Sequence, residues 1–176
     1  MKNKKAAFVT QAGIIAAVYA VLTLAQGALL PGTTTAAVQF RVSEVLNILA
    51  LFTPAAIPGL TIGCVISNIQ SIGQGLPLDM IFGSLATLGS SVCIYFLKNA
   101  KIKTYPLFAM LMPAVWNGII IGWEIEAFFI EGPFHVGDFF VQGGLVALGE
   151  LGVMLTLGTA LYYIITKRHL DKKIFE

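Results

Sequence analysis

VQFRVSEVLNILALFTPAAIPGLTIGCVISN, residues 38–68, is almost wholly apolar, carries one arginine (Arg41), and has a carboxylate (Glu44) three residues further on. That spacing lets the two share a helix face and pair. A Pro-Ala-Ala-Ile-Pro-Gly turn at 54–59 follows, and then a second apolar segment ending at Asn68. Two apolar segments joined by a tight hinge read as a membrane hairpin. Ionisable groups in such segments are costly, so they face an interior site or pair with each other.

The rest of the chain supports a membrane environment. Of its 176 residues, 57% are hydrophobic and 11% charged, with a mean hydropathy of +0.84. Soluble domains average about 25% charged residues, so the polar surface here is too small to cover a water-soluble globule. The expectation is an all-α, multi-pass membrane protein forming a single domain over 1–176, with no cleavable signal peptide. Cys64 and Cys93 both fall in apolar helices and are expected as free thiols.

A bilayer core about 30 Å thick takes roughly 20 apolar residues per helix. On that ruler six spans are predicted, over residues 6–30, 39–52, 57–72, 78–97, 105–130 and 138–166. Residues 31–37 form a polar loop and 73–75 a turn. The second and third spans are short and are expected to be tilted or broken. Lys2, Lys4 and Lys5 precede the first span, Lys98, Lys101 and Lys103 follow the fourth, and Lys167, Arg168, Lys172 and Lys173 follow the sixth. With six spans and both termini cytoplasmic, all three clusters lie inside, which agrees with the positive-inside rule. Arg41 is the exception and falls near an outer face that otherwise holds Asp79, Glu126, Glu131, His135 and Asp138.

The candidate site residues are polar groups at membrane depth. Glu150 lies about 18 Å into the sixth span at 1.5 Å per residue. Asn117 and Glu124 are seven residues apart on one face of the fifth span, and Trp116 and Trp123 lie on an adjacent face. Asp79 opens the fourth span above Thr87, Ser90 and Ser91, and Asn68 interrupts the third. Each ligand role has a blander alternative: a proton relay or an interhelical hydrogen bond for the acids, helix-to-helix contact for Asn68, and a structural pair for Arg41 with Glu44. Glu126 reads as a wet rim residue. Gln39 and Phe40 face the outer loop. Ala12, Ala16 and Ala20 make a smooth stripe on the first span, and Gly59-x-x-x-Gly63 and Gly118-x-x-x-Gly122 repeat the pattern, for internal packing or for a partner helix. No G-x-x-x-x-G-K-[ST], HExxH, CxxC or GxSxG stretch is present, so the chain has no nucleotide-hydrolysing motif of its own. Neither a catalytic residue nor a metal or other cofactor is expected.

A six-helix chain of this size, with an alanine stripe on its first helix and no nucleotide motif, resembles a substrate-binding S component of energy-coupling-factor (ECF) vitamin transporters. Phe40-Arg41-Val42-Ser43-Glu44, then Phe52-Thr53-Pro54-Ala55-Ala56-Ile57-Pro58-Gly59-Leu60 and Gly63-Cys64, resemble the QueT family. The resemblance implies import of a queuosine precursor across the plasma membrane, with no nucleic-acid partner. It implies a transmembrane coupling subunit contacting Ala12, Ala16 and Ala20, two cytoplasmic ATPase subunits, and a lid formed by residues 31–37. A 7-deazaguanine fits the residues. One carboxylate, Glu150 or Glu124, accepts both donors of its Watson–Crick edge. Asn117 or Asn68 meets its ring carbonyl and nitrogen, and Trp116, Trp123 and Phe40 offer stacking faces. An aminomethyl substituent would call for a second acid, such as Asp79 or the other glutamate. A different purine-like or cationic vitamin, a proton relay through Glu150 and Glu124, and a scaffold that binds no small molecule stay open as alternatives.

Overall fold

In a computed structural model, residues 4–33, 40–73 and 77–175 are described. Lys2, Gln39, residues 34–37 of the expected lid and residues 74–75 of the expected turn lie outside them. The described residues are helical throughout, apart from turns and one isolated bridge between Ile102 and Tyr105. The helices are α1 (Lys4–Leu29), a 3-10 helix (Val42–Leu51), α2 (Ala56–Gly73), α3 (Asp79–Phe96), α4 (Leu107–Glu124), α5 (Val136–Val153), α6 (Thr159–Lys167) and α7 (Leu170–Phe175). A π turn, Ile125–Phe129, extends α4, and a second, Met154–Gly158, joins α5 to α6 without a break.

Five helical stretches are long and apolar enough to cross a membrane: Lys4–Leu29, Ala56–Gly73, Asp79–Asn99, Leu107–Phe129 and Val136–Lys167. The protein is therefore an all-helical, multi-pass membrane bundle. The segment expected as a short, tilted or broken second span is a ten-residue 3-10 helix. At about 2.0 Å per residue it rises only about 20 Å, short of the hydrocarbon thickness. Its three-residue repeat stacks Arg41, Glu44, Asn47 and Ala50 in one column, and all four are buried. A 3-10 helix eclipses side chains at i and i+3, so the polar members of this segment leave the lipid along a single edge.

Close backbone approach holds the long helices together, as expected where lipid removes the hydrophobic drive between helices. In α2, Gly59 and Gly63 lie against α1. A Cβ on either would stand 2.8 Å from the carbonyl oxygen of Ala12 or Ala16 respectively. Ala12, Ala16 and Ala20 are buried in this seam. Small residues on both helices let α2 pack over the stripe, the internal-packing role that the spacing also allowed. Between α4 and α5 the contact is tighter still, since a Cβ on Gly143 would lie 2.4 Å from the Gly118 carbonyl oxygen.

At the other end of the bundle, Phe52 stacks on Tyr162 and Phe175, and Gln11 receives Thr53 Oγ1 at 3.1 Å while donating to the Ile174 carbonyl at 3.1 Å. The C-terminal turn is thus tied to α1 and to the foot of the 3-10 helix.

Gly143→Ala should lower stability by about 1–3 kcal/mol, because backbone cannot yield to the new methyl. Gly144→Ala, with open space around its Cβ position, should be neutral or up to about 1 kcal/mol stabilising through helix propensity. Thermal unfolding of the two variants in one detergent checks the contrast.

Candidate functional site: a buried polar cluster with two partnerless glutamates

Backbone entry into the site is fixed by Gln26, near the end of α1. Its amide nitrogen donates to the Phe40 carbonyl and, at 3.0 Å, to Thr33 Oγ1, while its oxygen accepts the Val42 N–H at 2.8 Å. The Phe40 N–H donates to the Thr33 carbonyl at 2.9 Å. These contacts aim Arg41 inward. Its guanidinium forms a 3.0 Å ion pair with Asp79 at the start of α3 and donates to Asn68 Oδ1 of α2 at 3.1 Å. The same Asp79 oxygen accepts Ser71 Oγ at 3.0 Å, and Asn68 Nδ2 donates to the Asp79 carbonyl at 3.0 Å. Arg41, Asn68 and Asp79 are all buried. The expectation of an Arg41–Glu44 structural pair is corrected, because the arginine reaches across to α3.

One turn on, Glu44 belongs to a separate network. Tyr19 Oη donates to one of its oxygens and Asn47 Nδ2 to the other, and Ser90 Oγ donates to Asn47 Oδ1 at 3.2 Å. Neighbouring Ser43 accepts Thr23 Oγ1 at 2.6 Å. The parts that Tyr19 and Asn47 play in this network were not read from the sequence. The signal available was the three-residue register Arg41–Glu44–Asn47, which a 3.6-residue helix blurs.

Glu124 closes α4 and Glu150 lies in α5, exposed by only 2% and 1%. All four of their carboxylate oxygens are buried and have no hydrogen-bond partner among the described residues. Arg41, Glu44, Asp79, Glu124 and Glu150 are all buried, and the 3-10 helix that follows Arg41 packs against α3, α4 and α5, which carry the three other acids. Buried polar atoms are almost always paired, and a bare buried carboxylate is among the costliest exceptions. Each of these glutamates is also followed within four residues by a π turn, a helix defect frequent at functional sites.

The other expected site residues divide. Asn117 is buried on α4 and its amide nitrogen donates to the Pro113 carbonyl at 3.0 Å. Trp116 is wedged into the α3–α4 seam, its ring over Gly89 and its N–H directed to Cys93 sulfur at 3.3 Å, so it is not free to stack on a ligand in this arrangement. Trp123 is 41% exposed and sits edge-on to Phe82 and Phe128 on the bundle surface, a cluster suited to the lipid interface. Phe40 is the aromatic ring nearest the cluster in sequence, and its edge lies over Gly152 of α5, where a Cβ would meet it at 3.5 Å. Glu126 is buried rather than wet, because one of its oxygens accepts the His135 N–H at 2.8 Å and so ties the α4–α5 connection to the π turn.

An apolar helical bundle enclosing a polar cluster with unsatisfied acids is a form that a membrane transport protein can use. Comparison with known proteins narrows the class. The family model described as QueT transporter matches residues 9–167. The curated "Queuosine precursor transporter QueT" of Lactococcus lactis subsp. cremoris is 41% identical over 159 residues, covering 90% of this chain and 84% of that protein. This chain belongs to the QueT transporter family. No solved structure matches it.

Breaking a buried ion pair leaves the surviving charge uncompensated, at a cost of about 3–5 kcal/mol. Arg41→Met and Asp79→Leu should each destabilise by that order, and the double variant by much less than their sum. A double-mutant cycle of thermal unfolding in detergent measures the coupling, and strict additivity would deny the pair its role.

Proposed function

We propose that the chain is the substrate-binding S component of an ECF importer that takes up a queuosine precursor, a 7-deazaguanine, across the plasma membrane. The observation that carries the reading, beside family membership, is the pair of buried glutamates whose four oxygens have no partner. A 7-deazaguanine brings adjacent N–H donors that one carboxylate accepts in bidentate fashion. In this reading Glu150 accepts that edge, since it lies mid-helix among the Glu44, Asn47 and Arg41 column. Asn117 and Asn68 border the ring, and Phe40 covers it from the loop side.

The reading includes six crossings, with the 3-10 helix at the centre of the second. The lysines support this count. Five crossings would place Lys98, Lys101 and Lys103 opposite Lys4 and Lys5, whereas six return all of them, with Lys167, Arg168 and Lys172, to the cytoplasmic side. Glu124, Asp79 and Arg41 then lie toward the outer face, where substrate arrives. A transmembrane coupling subunit and two cytoplasmic ATPase subunits supply the energy. Because α2 covers Ala12, Ala16 and Ala20, contact with the coupling subunit falls to the open side of α1, where Gly13 and Ala17 are exposed.

Calorimetry on the detergent-purified chain tests the substrate. A 7-deazaguanine should bind with submicromolar affinity, and Glu150→Gln should weaken it roughly 10- to 100-fold, the worth of a hydrogen bond to a charged group. Absence of binding to chain of unchanged thermal stability would overturn the reading. In proteoliposomes, uptake should require the ATPase partners. Proton movement without them would favour a relay through Glu124 and Glu150 instead.

A further inference from the structure

The end of the bundle where α3 joins α4 is strongly basic. Residues 98–105 hold three lysines, Lys98, Lys101 and Lys103, and residues 167–175 hold four Lys or Arg residues, against one acid, Asp171. Tyrosines bind the two segments into one surface. Tyr162 Oη of α6 donates to the Thr104 carbonyl at 2.9 Å, and the Tyr105 and Thr159 hydroxyls share a hydrogen bond of 2.5 Å. The Tyr105 ring stacks on Tyr163 and stands edge-on to Tyr162, with centroids 6.4 Å away in each case. The connection itself is tight, since Ile102 and Tyr105 exchange both backbone hydrogen bonds, at 2.9 and 3.0 Å.

On this platform two ammonium groups converge from different elements. Lys101 of the connection lies over the Tyr162 ring and Lys167 of α6 over the Tyr163 ring, each 5.9 Å from the centroid, and the two rings are 5.7 Å apart. Such a separation is the outer limit of a cation–π contact, so the rings place the charges without using their hydrogen-bond donors. Both lysines are exposed. Among the described residues neither is in a salt bridge, the one such pair being Arg41 with Asp79. The positive-inside rule asks only for basic residues in a short loop. It does not ask that two of them be set on adjacent rings, one reached from another element.

Beside these charges the surface is apolar. Tyr163 and Ile164 precede Lys167 by four and three residues, so they share its face of α6, and they are 41% and 49% exposed. Phe96 at the end of α3 and Phe108 in the first turn of α4 are exposed as well. Cationic donors next to a hydrocarbon-facing surface match the two halves of a phospholipid.

We infer that Lys101 and Lys167 bind the phosphate of an anionic phospholipid headgroup, whose acyl chains lie along Tyr163 and Ile164. The inference depends neither on the substrate nor on the coupling partners proposed above. Both ammonium groups donate to the phosphate oxygens. A zwitterionic headgroup, which brings a cation of its own, is disfavoured there.

Native mass spectrometry of the full chain released from detergent gives the dissociation constant of the first bound lipid, with dioleoyl phosphatidylglycerol and dioleoyl phosphatidylcholine as probes. At about 5-fold per lysine near a headgroup, the wild type should prefer phosphatidylglycerol by roughly 30-fold. Lys101→Gln/Lys167→Gln should remove that preference and leave phosphatidylcholine binding unchanged. Lys4→Gln/Lys5→Gln, which takes the same charge from the start of α1, should keep it. Equal wild-type affinities for the two lipids would overturn the inference without any variant. Equal loss of the preference in both double variants would overturn it by tracing the effect to diffuse charge. Displacement of phosphatidylglycerol by equimolar glycerol phosphate would overturn it in favour of a free phosphate site. Retention on a polyaspartate resin through the same two lysines, with no lipid preference, would overturn it in favour of an acidic protein surface.

Discussion

The bundle depends on one buried ion pair. Arg41 is carried inward on the strand of chain that follows α1 and meets Asp79 at the first turn of α3, with Asn68 and Ser71 of α2 completing the clamp. Neither charge has water to fall back on, so each holds the other in place, and the two hydrogen bonds from α2 fix the angle at which they meet. Three consecutive elements are thereby locked at one end. Gln26 seals the approach from the α1 side by binding the backbone on both sides of Arg41. Such a pair is weak evidence for net stability, but its geometry depends on the register of the 3-10 helix. A one-residue slip of the 3-10 helix would take Arg41, Glu44 and Asn47 out of the interior together.

Against that clamp the two glutamates stand out. The protein satisfies Arg41, Asp79, Asn68, Glu44, Asn47 and Ser90 within itself, several of them twice. It leaves Glu124 and Glu150 bare in the same region. A fold able to satisfy the first set has the means to satisfy the second, and the π turns that follow both residues show the helices distorted where the bare acids lie. The contrast separates settled polar contacts from two acids that the described residues leave unsatisfied. The function proposed for this member of the QueT family would use those two acids to receive the donors of a deazaguanine.

Much of the architecture was legible in the sequence. The long apolar runs gave α1, α2, α3, α4 and α5 to within a few residues, because a membrane span needs little beyond length and hydropathy. The short second segment was misread in type. An apolar run of about ten residues has no periodicity strong enough to distinguish 3.0 from 3.6 residues per turn, and only the buried column Arg41–Glu44–Asn47–Ala50 resolves it. That Glu124 and Glu150 are buried agrees with their placement within long apolar runs. Partner choice did not, since Arg41 pairing with Asp79 rather than Glu44 is a contact across 38 positions. The alanine stripe was visible, but its orientation toward α2 rested on glycines in another helix. Glu126 misled for a related reason: a charge near a helix end usually meets water, and here the α4–α5 connection folds back and supplies an N–H.

If Glu124 and Glu150 lack partners until a 7-deazaguanine supplies them, their carboxyl groups change environment on binding. Infrared difference spectroscopy of the carboxyl stretching region, recorded on the detergent-purified chain before and after ligand addition, addresses it most directly. The predicted result is a pair of carboxyl bands that shift on binding, one missing in Glu124→Gln and the other in Glu150→Gln. Saturating ligand with no change in either band would contradict the account.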